Sequence, residues 1–240
     1  IYRISIILNM HKTIRKYEGK LSPSQVAEGM NCAYRNAKRL AMDANLLLKA
    51  GSYPTAASIA ILSIEESGKV VILRKLLIAN SEEEVGKCWK EYRTHTKKNL
   101  NWILPDLFDK GARKIEDFYL MVDKNSEHPF YLNGVKQLGF YTDCVDNADW
   151  LNPEQNVDEE QAKRLVHVAH TLLQGREVSS KELELYVKHM KLVPKDNDEL
   201  VKQAYINWYK DMQYHGLMPP GENKMAVYFR NGLSKDVKLP

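Results

Sequence analysis

Residues 53–79 carry the sequence YPTAASIAILSIEESGKVVILRKLLIA, and this stretch decides the fold. Its apolar residues lie on nearly every side of a helical projection, which predicts a helix from Thr55 to about Ala79 that neighbours cover on several sides. Pro54 suits the start of that helix, because the first helical N–H groups have no partner within the helix and proline lacks one. The stretch therefore predicts a central, largely buried helix.

The residues before this stretch predict a long partner helix. Ser22 and Gln25 form a capping signature, with Pro23 between them, and this pattern indicates a helix start. Gly51 predicts the end of the helix near Ala50. The apolar stripe steps alternately by four and three residues: Val26, Met30, Ala33, Ala37, Leu40, Ala44 and Leu47. Such a stripe is typical of a long antiparallel helix pair.

The rest of the chain also favours helices, and no convincing alternating strand pattern occurs. Four further capping signatures are Ser81 with Glu84, Asn156 with Glu159, Ser179 with Glu182, and Asp196 with Glu199. A third helix is expected from Ser81 until Pro105 ends it. Later helices are expected at about 114–122, within 131–150, and at 158–174, 180–192 and 198–214, before a loop or arm from Gly216. The predicted fold is an all-α bundle built on the long antiparallel pair, with extra C-terminal helices.

Bulk composition excludes few classes of function. The chain has 240 residues, 44% of them hydrophobic, and a net charge of +4, which permits nucleic-acid binding without arguing for it. Cys32, Cys88 and Cys144 form no C-x-x-C pair, which favours free thiols in a reducing cytoplasm. No apolar run reaches the roughly 20 residues that a membrane-spanning helix needs, so no membrane partner is expected.

Familiar catalytic motifs are missing from the sequence. It contains no phosphate-binding glycine loop, no G-x-S-x-G and no H-E-x-x-H, so no cofactor is expected. His167 and His170 are three residues apart, which is a legitimate metal-ligand spacing. Because no acidic cluster lies beside them in sequence, we predict no metal site.

Glu65, Glu66 and Lys69 place charges inside the apolar central helix. Glu65 precedes Lys69 by four residues, the favourable order, which predicts an intrahelical ion pair beside Asn36. The alternative is a polar pocket where the helices cross. At least one acid is expected to be partly buried, because its neighbours are apolar. Gly68 is expected to permit close helix approach.

His95 lies on an inward stripe of the predicted third helix, which steps through Cys88, Tyr92, His95, Asn99 and Trp102. Such a histidine is often a satisfied core residue. Basic residues that include Arg93 surround it, and aromatic residues lie between them, so an RNA-facing surface is the alternative. Arg164 and His170 lie six residues apart, so they border each other on a helix without sharing a face. An ordinary amphipathic helix is the simpler interpretation for that pair.

Several motifs together resemble the AbiV family of abortive-infection proteins. They are Asn36-Ala37 with Leu40 and Asp43-Ala44, Tyr53-Pro54-Thr55-Ala56, Glu65-Glu66-Ser67-Gly68-Lys69, Trp89 and His95 with Lys98, and Tyr141-Thr142-Asp143 with Trp150-Leu151-Asn152-Pro153. The resemblance covers about residues 22–174. It divides the chain into an N-terminal extension (1–21), an AbiV/HEPN-like helical domain (22–174) and a C-terminal helical appendage and arm (175–240).

Membership in the HEPN superfamily is what this resemblance implies, and with it a long antiparallel helix pair, a homodimer and a role in phage defence. Many HEPN proteins are metal-independent RNases that carry an Arg and a His a few residues apart. The region where that motif is expected carries Tyr141-Thr142-Asp143 here. Arg164 and His170 have the right spacing, but they lie within the following helix.

Three functions follow as expectations. The leading one is a cytoplasmic anti-phage effector that binds RNA or a protein partner, such as a phage-encoded protein, and arrests the infected cell. Its predicted binding groove contains Asn36, Glu65, Glu66, Lys69, Arg93, His95 and Lys98. The alternative is a metal-independent endoribonuclease with His95, Arg164 and His170 as catalytic residues. An inactive helical scaffold is the third.

Overall fold

A computed structural model of the chain describes residues 15–123 and 125–234. Residues 1–14 of the predicted N-terminal extension and residues 235–240 of the predicted arm lie outside this range. The helices are α1 (Pro23–Lys49), α2 (Tyr53–Leu77), α3 (Glu82–Arg93), α4 (His95–Lys98), α5 (Leu104–Asp109), α6 (His128–Phe140), α7 (Pro153–Asn156), α8 (Glu159–Thr171), α9 (Ser180–Met190), α10 (Asp198–Tyr214) and α11 (Lys224–Asn231). Two 3-10 helices span Leu100–Ile103 and Ile115–Val122, and two short strands are β1 (Asp143–Val145) and β2 (Asp149–Leu151).

The long helices α1 and α2 form the expected pair. Gly51 in their connection has a φ of +76°, a conformation that favours glycine. Ser63 Oγ donates a hydrogen bond to the carbonyl oxygen of Ala37 at 2.7 Å. Gly29 lies against Leu73. Residues nearer the end of α1 therefore contact residues nearer the start of α2. The predicted antiparallel arrangement is confirmed.

Helix starts follow the predicted caps in part. The confirmed N-caps, whose side chains accept a backbone hydrogen bond, are Ser22, Ser81 and Ser179. The cap predicted at Asn156 is wrong, because Asp158 caps α8. The cap predicted at Asp196 is also wrong, because Asn197 caps α10. Adjacent polar residues offer competing caps, so the sequence located these helix starts only to within one or two residues.

The hydrophobic core has two main parts. The first joins α1 and α2 to α6 and α8 through residues that include Ala44, Ile61, Leu132 and Leu165. The second joins α1 and α2 to α9 and α10 through residues that include Met30, Leu73, Leu183, Tyr186 and Trp208. Residues on both sides of position 175 thus share an apolar cluster. The domain division at that position stays a prediction.

The expected single helix from Ser81 to Pro105 is wrong. Helix α3 ends at Arg93, and Thr94 adopts an extended backbone with φ −93° and ψ 122°. The Thr94 hydroxyl donates a hydrogen bond to the carbonyl oxygen of Lys90 at 2.7 Å. A side chain that satisfies this carbonyl competes with the next helical turn. A new short helix, α4, begins at His95 after the break.

Two other segments differ from the expectation. Helix α6 ends at Phe140, and β1 and β2 then form an antiparallel hairpin with Cys144 opposite Trp150. Asp146 and Ala148 in its turn have positive φ values of 44° and 69°. Strands of three residues are too short to give an alternating pattern, so the sequence missed them. The segment predicted as a loop or arm contains α11.

Candidate functional site

The buried carboxylate of Glu65 on α2 organises the candidate site. Glu65 is 2% exposed. Its Oε1 accepts a hydrogen bond from Lys136 Nζ on α6 at 2.6 Å. Its Oε2 lies 2.6 Å from His95 Nδ1 and 3.3 Å from Lys98 Nζ, both on α4. Three helices thus meet at one carboxylate, and we call Glu65, His95, Lys98 and Lys136 the His95 cluster.

His95 is the exposed member of this cluster. Its side chain is 56% exposed, whereas those of the other three members are at most 8% exposed. An ionised carboxylate only accepts hydrogen bonds, so the contact with Glu65 places the proton on His95 Nδ1. Lys136 Nζ also lies 3.2 Å from this Nδ1, but a protonated Nδ1 has no lone pair to accept from it. Nε2 is therefore the nitrogen that keeps a lone pair when the ring is neutral.

Two buried ammonium groups face one carboxylate, so the His95 cluster carries an excess positive charge even when the imidazole is neutral. Burial raises the pKa of Glu65, but hydrogen bonds from Lys136 and His95 and the nearby lysine charges outweigh it. The pKa of Glu65 therefore lies below the ordinary value of a glutamate. Removing Glu65 or one of the two lysines leaves an uncompensated buried charge, so these three buried members depend on one another.

Two glycines let the lysine-bearing segments reach α2. A Cβ on Gly68 would overlap the carbonyl group of Lys98, and a Cβ on Gly139 would overlap Ser58 Oγ. Ser58 Oγ also donates a hydrogen bond to the carbonyl oxygen of Lys136 at 3.1 Å. The absent side chains at these two positions therefore allow α4 and α6 to place their lysines on Glu65. The sequence predicted that Gly68 permits a close helix approach, and the helix that approaches it is α4.

Comparison with known protein families assigns most of this chain to a family. Residues 25–174 match the model of the family described as AbiV, a HEPN-type family. This chain belongs to the AbiV family. The family indicates a HEPN-type function in abortive infection, and it fits the all-α bundle. Comparisons with the curated proteins and with the solved structures gave no match.

All four members of the His95 cluster lie within the AbiV-matched residues, but the predicted Glu65–Lys69 ion pair is wrong. Lys69 Nζ lies 2.5 Å from Glu66 Oε1 and sits over the Tyr92 ring, 5.2 Å from its centre. Glu65 turns to the buried side of α2, where Lys136 supplies a closer cation. The spacing rule for charged pairs describes helix surfaces, so it failed for a residue that other helices cover.

Asn36 and Arg93, which were predicted for the same groove, have other partners in the AbiV fold. Asn36 Oδ1 accepts a hydrogen bond from Arg39 Nη2 at 3.0 Å along α1. Arg93 Nη1 donates to Glu18 Oε1, and Arg93 Nη2 donates to the carbonyl oxygen of Tyr17, each at 2.7 Å. Arg93 thus fastens the segment that precedes α1.

Arg164 and His170 both lie on α8, near the end of the AbiV-matched region. Arg164 pairs with Asp106, and its guanidinium carbon lies 5.6 Å from the centre of the Trp102 ring. Among the described residues, no hydrogen bond or ion pair joins Arg164 and His170 to His95, and the catalytic roles of the three stay a prediction.

Lys136 is the site residue that the sequence reasoning missed. It is 4% exposed and makes the shortest contact to Glu65 Oε1. A signal was present, because Leu132, Val135, Lys136 and Gly139 share the core-facing stripe of one helix at spacings of three and four residues. A lysine at such an interior position needs a buried acid as its partner.

Membrane-spanning helices and metal-binding clusters are both absent from the described part of the chain. No helix there is both long and apolar enough to cross a membrane. The same residues contain no group of three or more His, Cys, Asp or Glu side chains placed to hold a metal ion. His167 and His170 thus gain no acidic partner for a metal site within that part of the fold.

Proposed function

We propose that this chain is an abortive-infection effector that binds RNA through the surface around His95. The His95 cluster carries this proposal. It combines a half-exposed imidazole with a buried carboxylate that orients the ring and with an excess of buried positive charge. The phosphates of RNA supply the negative charge that such a surface attracts.

Exposed lysines also lie on α3 and α4. Lys87 and Lys90 on α3 and Lys97 on α4 are exposed. Trp89 and Trp102, two of the aromatic residues that lie between the basic ones in sequence, are buried. Binding would then depend on phosphate contacts more than on stacking. We expect affinity that falls steeply with salt and shows little preference for base sequence.

A second candidate function, metal-independent cleavage of RNA, is favoured by the orientation of His95. Glu65 engages Nδ1, so Nε2 is the nitrogen placed to act as a general base. Nε2 would take the proton of a ribose 2′-OH, whose oxygen bonds to the adjacent phosphorus as the bond to the 5′ oxygen breaks. The leaving oxygen would take a proton from water. Lys98 and Lys136 are buried, so they would act as positioning residues.

The substitution His95→Gln tests both functions. We expect it to keep the wild-type melting temperature, because the ring is half-exposed, and to lose protection against phage in infected cells. Affinity for a labelled single-stranded RNA should fall about tenfold, the effect of losing one strong hydrogen bond to a charged group. His215→Gln, at an exposed position after α10, is the matched control and should retain both properties.

Each other outcome points to a different site or activity. Full protection by a folded His95→Gln protein would move the search to Arg164 and His170. Cleavage of RNA by the wild type and not by the variant would support the endoribonuclease. A wild-type protein that protects cells yet binds no RNA, and that co-purifies with a phage protein, would replace RNA with a protein partner.

We also propose that the chain forms a homodimer, which its HEPN-type family supports. From the sequence, α2 is too apolar to be covered if only one helix of the same chain flanks it, and this also favoured a dimer. The single chain already packs α1, α6 and α8 against α2, so that argument no longer supports a dimer. Light scattering at micromolar concentration should give twice the monomer mass. A monomer mass would contradict the proposal.

A further inference from the structure

A cavity of about 510 Å³ lies where the start of α2 meets the end of α6 and the short helix α7. Tyr53, Phe140, Asn152 and Pro153 are among the residues that line it. Tyr53 comes from one motif of the AbiV resemblance, and Asn152 and Pro153 come from another, yet neither motif contributes to the His95 cluster. Pockets that hold ligands span about 300 to 1,000 Å³. The cavity therefore has room for the side chain of a partner, and the proposed RNA-binding surface does not include it.

The hairpin of β1 and β2 stands beside this cavity, because β2 ends at Leu151 and Asn152 already lines the cavity wall. Among the described residues, the two strands pair only with each other. Cys144 and Trp150 are opposite each other on one face of the hairpin, and both are exposed. Trp150 is 73% exposed, and Tyr141, before β1, is 62% exposed. Exposed aromatic residues of this kind are typical of surfaces that bind a partner.

The segment that forms this region is strongly acidic. Residues 141–160 contain no Lys, Arg or His, and their seven acids are Asp143, Asp146, Asp149, Glu154, Asp158, Glu159 and Glu160. Asp158 and Glu159 already serve α8, as its N-cap and as the partner of Lys163. In the described part of the chain, the three hairpin aspartates and Glu154 are exposed and form no ion pair. Their field repels nucleic acid and attracts a cation, although the whole chain carries a net charge of +4.

We propose that the cavity and the hairpin together form a docking surface, the Trp150 surface, for an extended cationic polypeptide segment of another protein. One lysine or arginine side chain of that segment would enter the cavity. Its aliphatic stem would pack against Pro54, Phe140 and Val157. Its charged head would reach Glu154, which also lines the cavity, and a second cation would stack on Trp150.

The exposed aromatic residues favour a polypeptide over a free polyamine. A polyamine offers the same ammonium groups and methylene chain to the cavity, but it needs neither Trp150 nor Tyr141, which lie outside the cavity. A polypeptide can also bond its main chain to an unpaired edge of the hairpin, and its alternate side chains then point to one face. The proposed partner is therefore a segment of alternating basic and apolar residues.

Calorimetric titration of the full chain tests this proposal with a decapeptide of alternating arginine and valine, the same peptide with glutamate in place of arginine, and spermidine. We expect the arginine peptide to bind, and to bind more weakly as salt screens the charges. Spermidine should bind at least about tenfold more weakly, and the glutamate peptide should give no measurable heat. Absence of binding by the arginine peptide, or equal affinity for spermidine, would overturn the proposal.

Two substitutions test the location of the site. Glu154→Gln should weaken binding of the arginine peptide about tenfold, because it removes a charged acceptor, whereas Glu83→Gln at an exposed position on α3 should not. Trp150→Ser should weaken it about fivefold by loss of stacking, whereas Tyr214→Ser, at a residue that is 84% exposed, should not. Unchanged binding by folded Glu154→Gln and Trp150→Ser proteins would refute the proposed site.

Light scattering of Trp150→Ser separates this surface from the proposed homodimer. The variant should keep the mass of the wild type, because the proposed occupant is another protein. A dimeric wild type that becomes monomeric in this variant would show that a second copy covers the hairpin, and it would overturn the proposal. His95→Gln should bind the arginine peptide as the wild type does, because His95 does not line the cavity. Loss of peptide binding in that variant would contradict the separation of the two surfaces.

Discussion

The His95–Glu65 pair and the His189–Asp211 pair place the same two functional groups in opposite settings. In the first pair the imidazole side chain is 56% exposed and the carboxylate side chain 3% exposed. In the second, His189 Nε2 lies 2.8 Å from Asp211 Oδ2, with the imidazole 17% and the carboxylate 27% exposed. A buried acid can orient a ring that meets a partner. A partly buried ring with a more exposed acid joins α9 to α10.

The lysines near these two carboxylates differ in the same way. Lys98 and Lys136 are buried beside Glu65, whereas the Lys188 side chain that contacts Asp211 is 62% exposed. Water compensates an exposed charge when its partner is removed, but it cannot reach a buried one. The first cluster should therefore respond far more strongly to substitution than the second.

The largest expected effect is that of Glu65→Ala. It leaves two buried ammonium groups without their acid and should lower the free energy of unfolding by about 3–5 kcal/mol. Asp211→Ala removes a solvent-screened acid and should lower it by about 1 kcal/mol or less. Urea denaturation of both variants measures the difference. Equal losses would show that the two clusters do not differ in the way that their burial indicates.

Alanine substitutions at two helical glycines should change the free energy of unfolding by smaller amounts and in opposite directions. Gly68→Ala forces a methyl group onto the carbonyl of Lys98 and should lower the free energy of unfolding by about 1–3 kcal/mol. Gly86→Ala, within α3, meets no atom within 4 Å and should raise it by up to about 1 kcal/mol through helix propensity. Thermal melting compares them. A stable Gly68→Ala protein with an unchanged His95 titration by NMR would show that close approach is not what positions α4.

The smallest expected effect is on the stability of the protein at acidic pH. Hydrogen bonds from Lys188 and then His189 hold the pKa of Asp211 below its usual value, and the pKa of Glu65 is lowered as well. A lowered pKa gives stability that is present above the unfolded-state pKa, about 3.9 for Asp and 4.3 for Glu, and that is lost as pH falls through the folded-state value.

Wild-type unfolding energy should therefore fall once the pH drops below about 4.3, and Asp211→Asn should lose less over the same range by under about 1 kcal/mol. Urea titrations at pH 7 and at pH 3.5 measure this difference. An identical loss in the two proteins would mean that Asp211 gains nothing from Lys188 and His189.

Local patterns in the sequence predicted much of this fold. The stripe from Val26 to Leu47 and the glycine at position 51 gave the antiparallel pair, because both signals lie within one helix and its turn. Thr94 shows the limit of such patterns. The inward stripe from Cys88 to Trp102 continues on both sides of Thr94 and favours an unbroken helix. A single side-chain hydrogen bond from Thr94 nevertheless ends α3 there.

The candidate site was harder to predict than the fold, because its contacts span long sequence separations. The apolar neighbours predicted that at least one of Glu65 and Glu66 would be partly buried, and Glu65 is. Its main partner was not, since Lys136 lies 71 residues away and no spacing rule connects the two. The lysine on the α6 stripe signalled a buried acid somewhere in the chain. Only the packing of α6 against α2 identifies which acid it meets.

The wide spacing of the His95 cluster along the chain has a consequence for protein synthesis. Ribosomes release residues in order, so Glu65 and His95 emerge well before Lys136. A nascent or prematurely terminated chain that lacks α6 also lacks the cation that contacts Glu65 Oε1. The cluster can be completed only after Lys136 has been made. The proposed binding surface thus forms only once α6 has been synthesised.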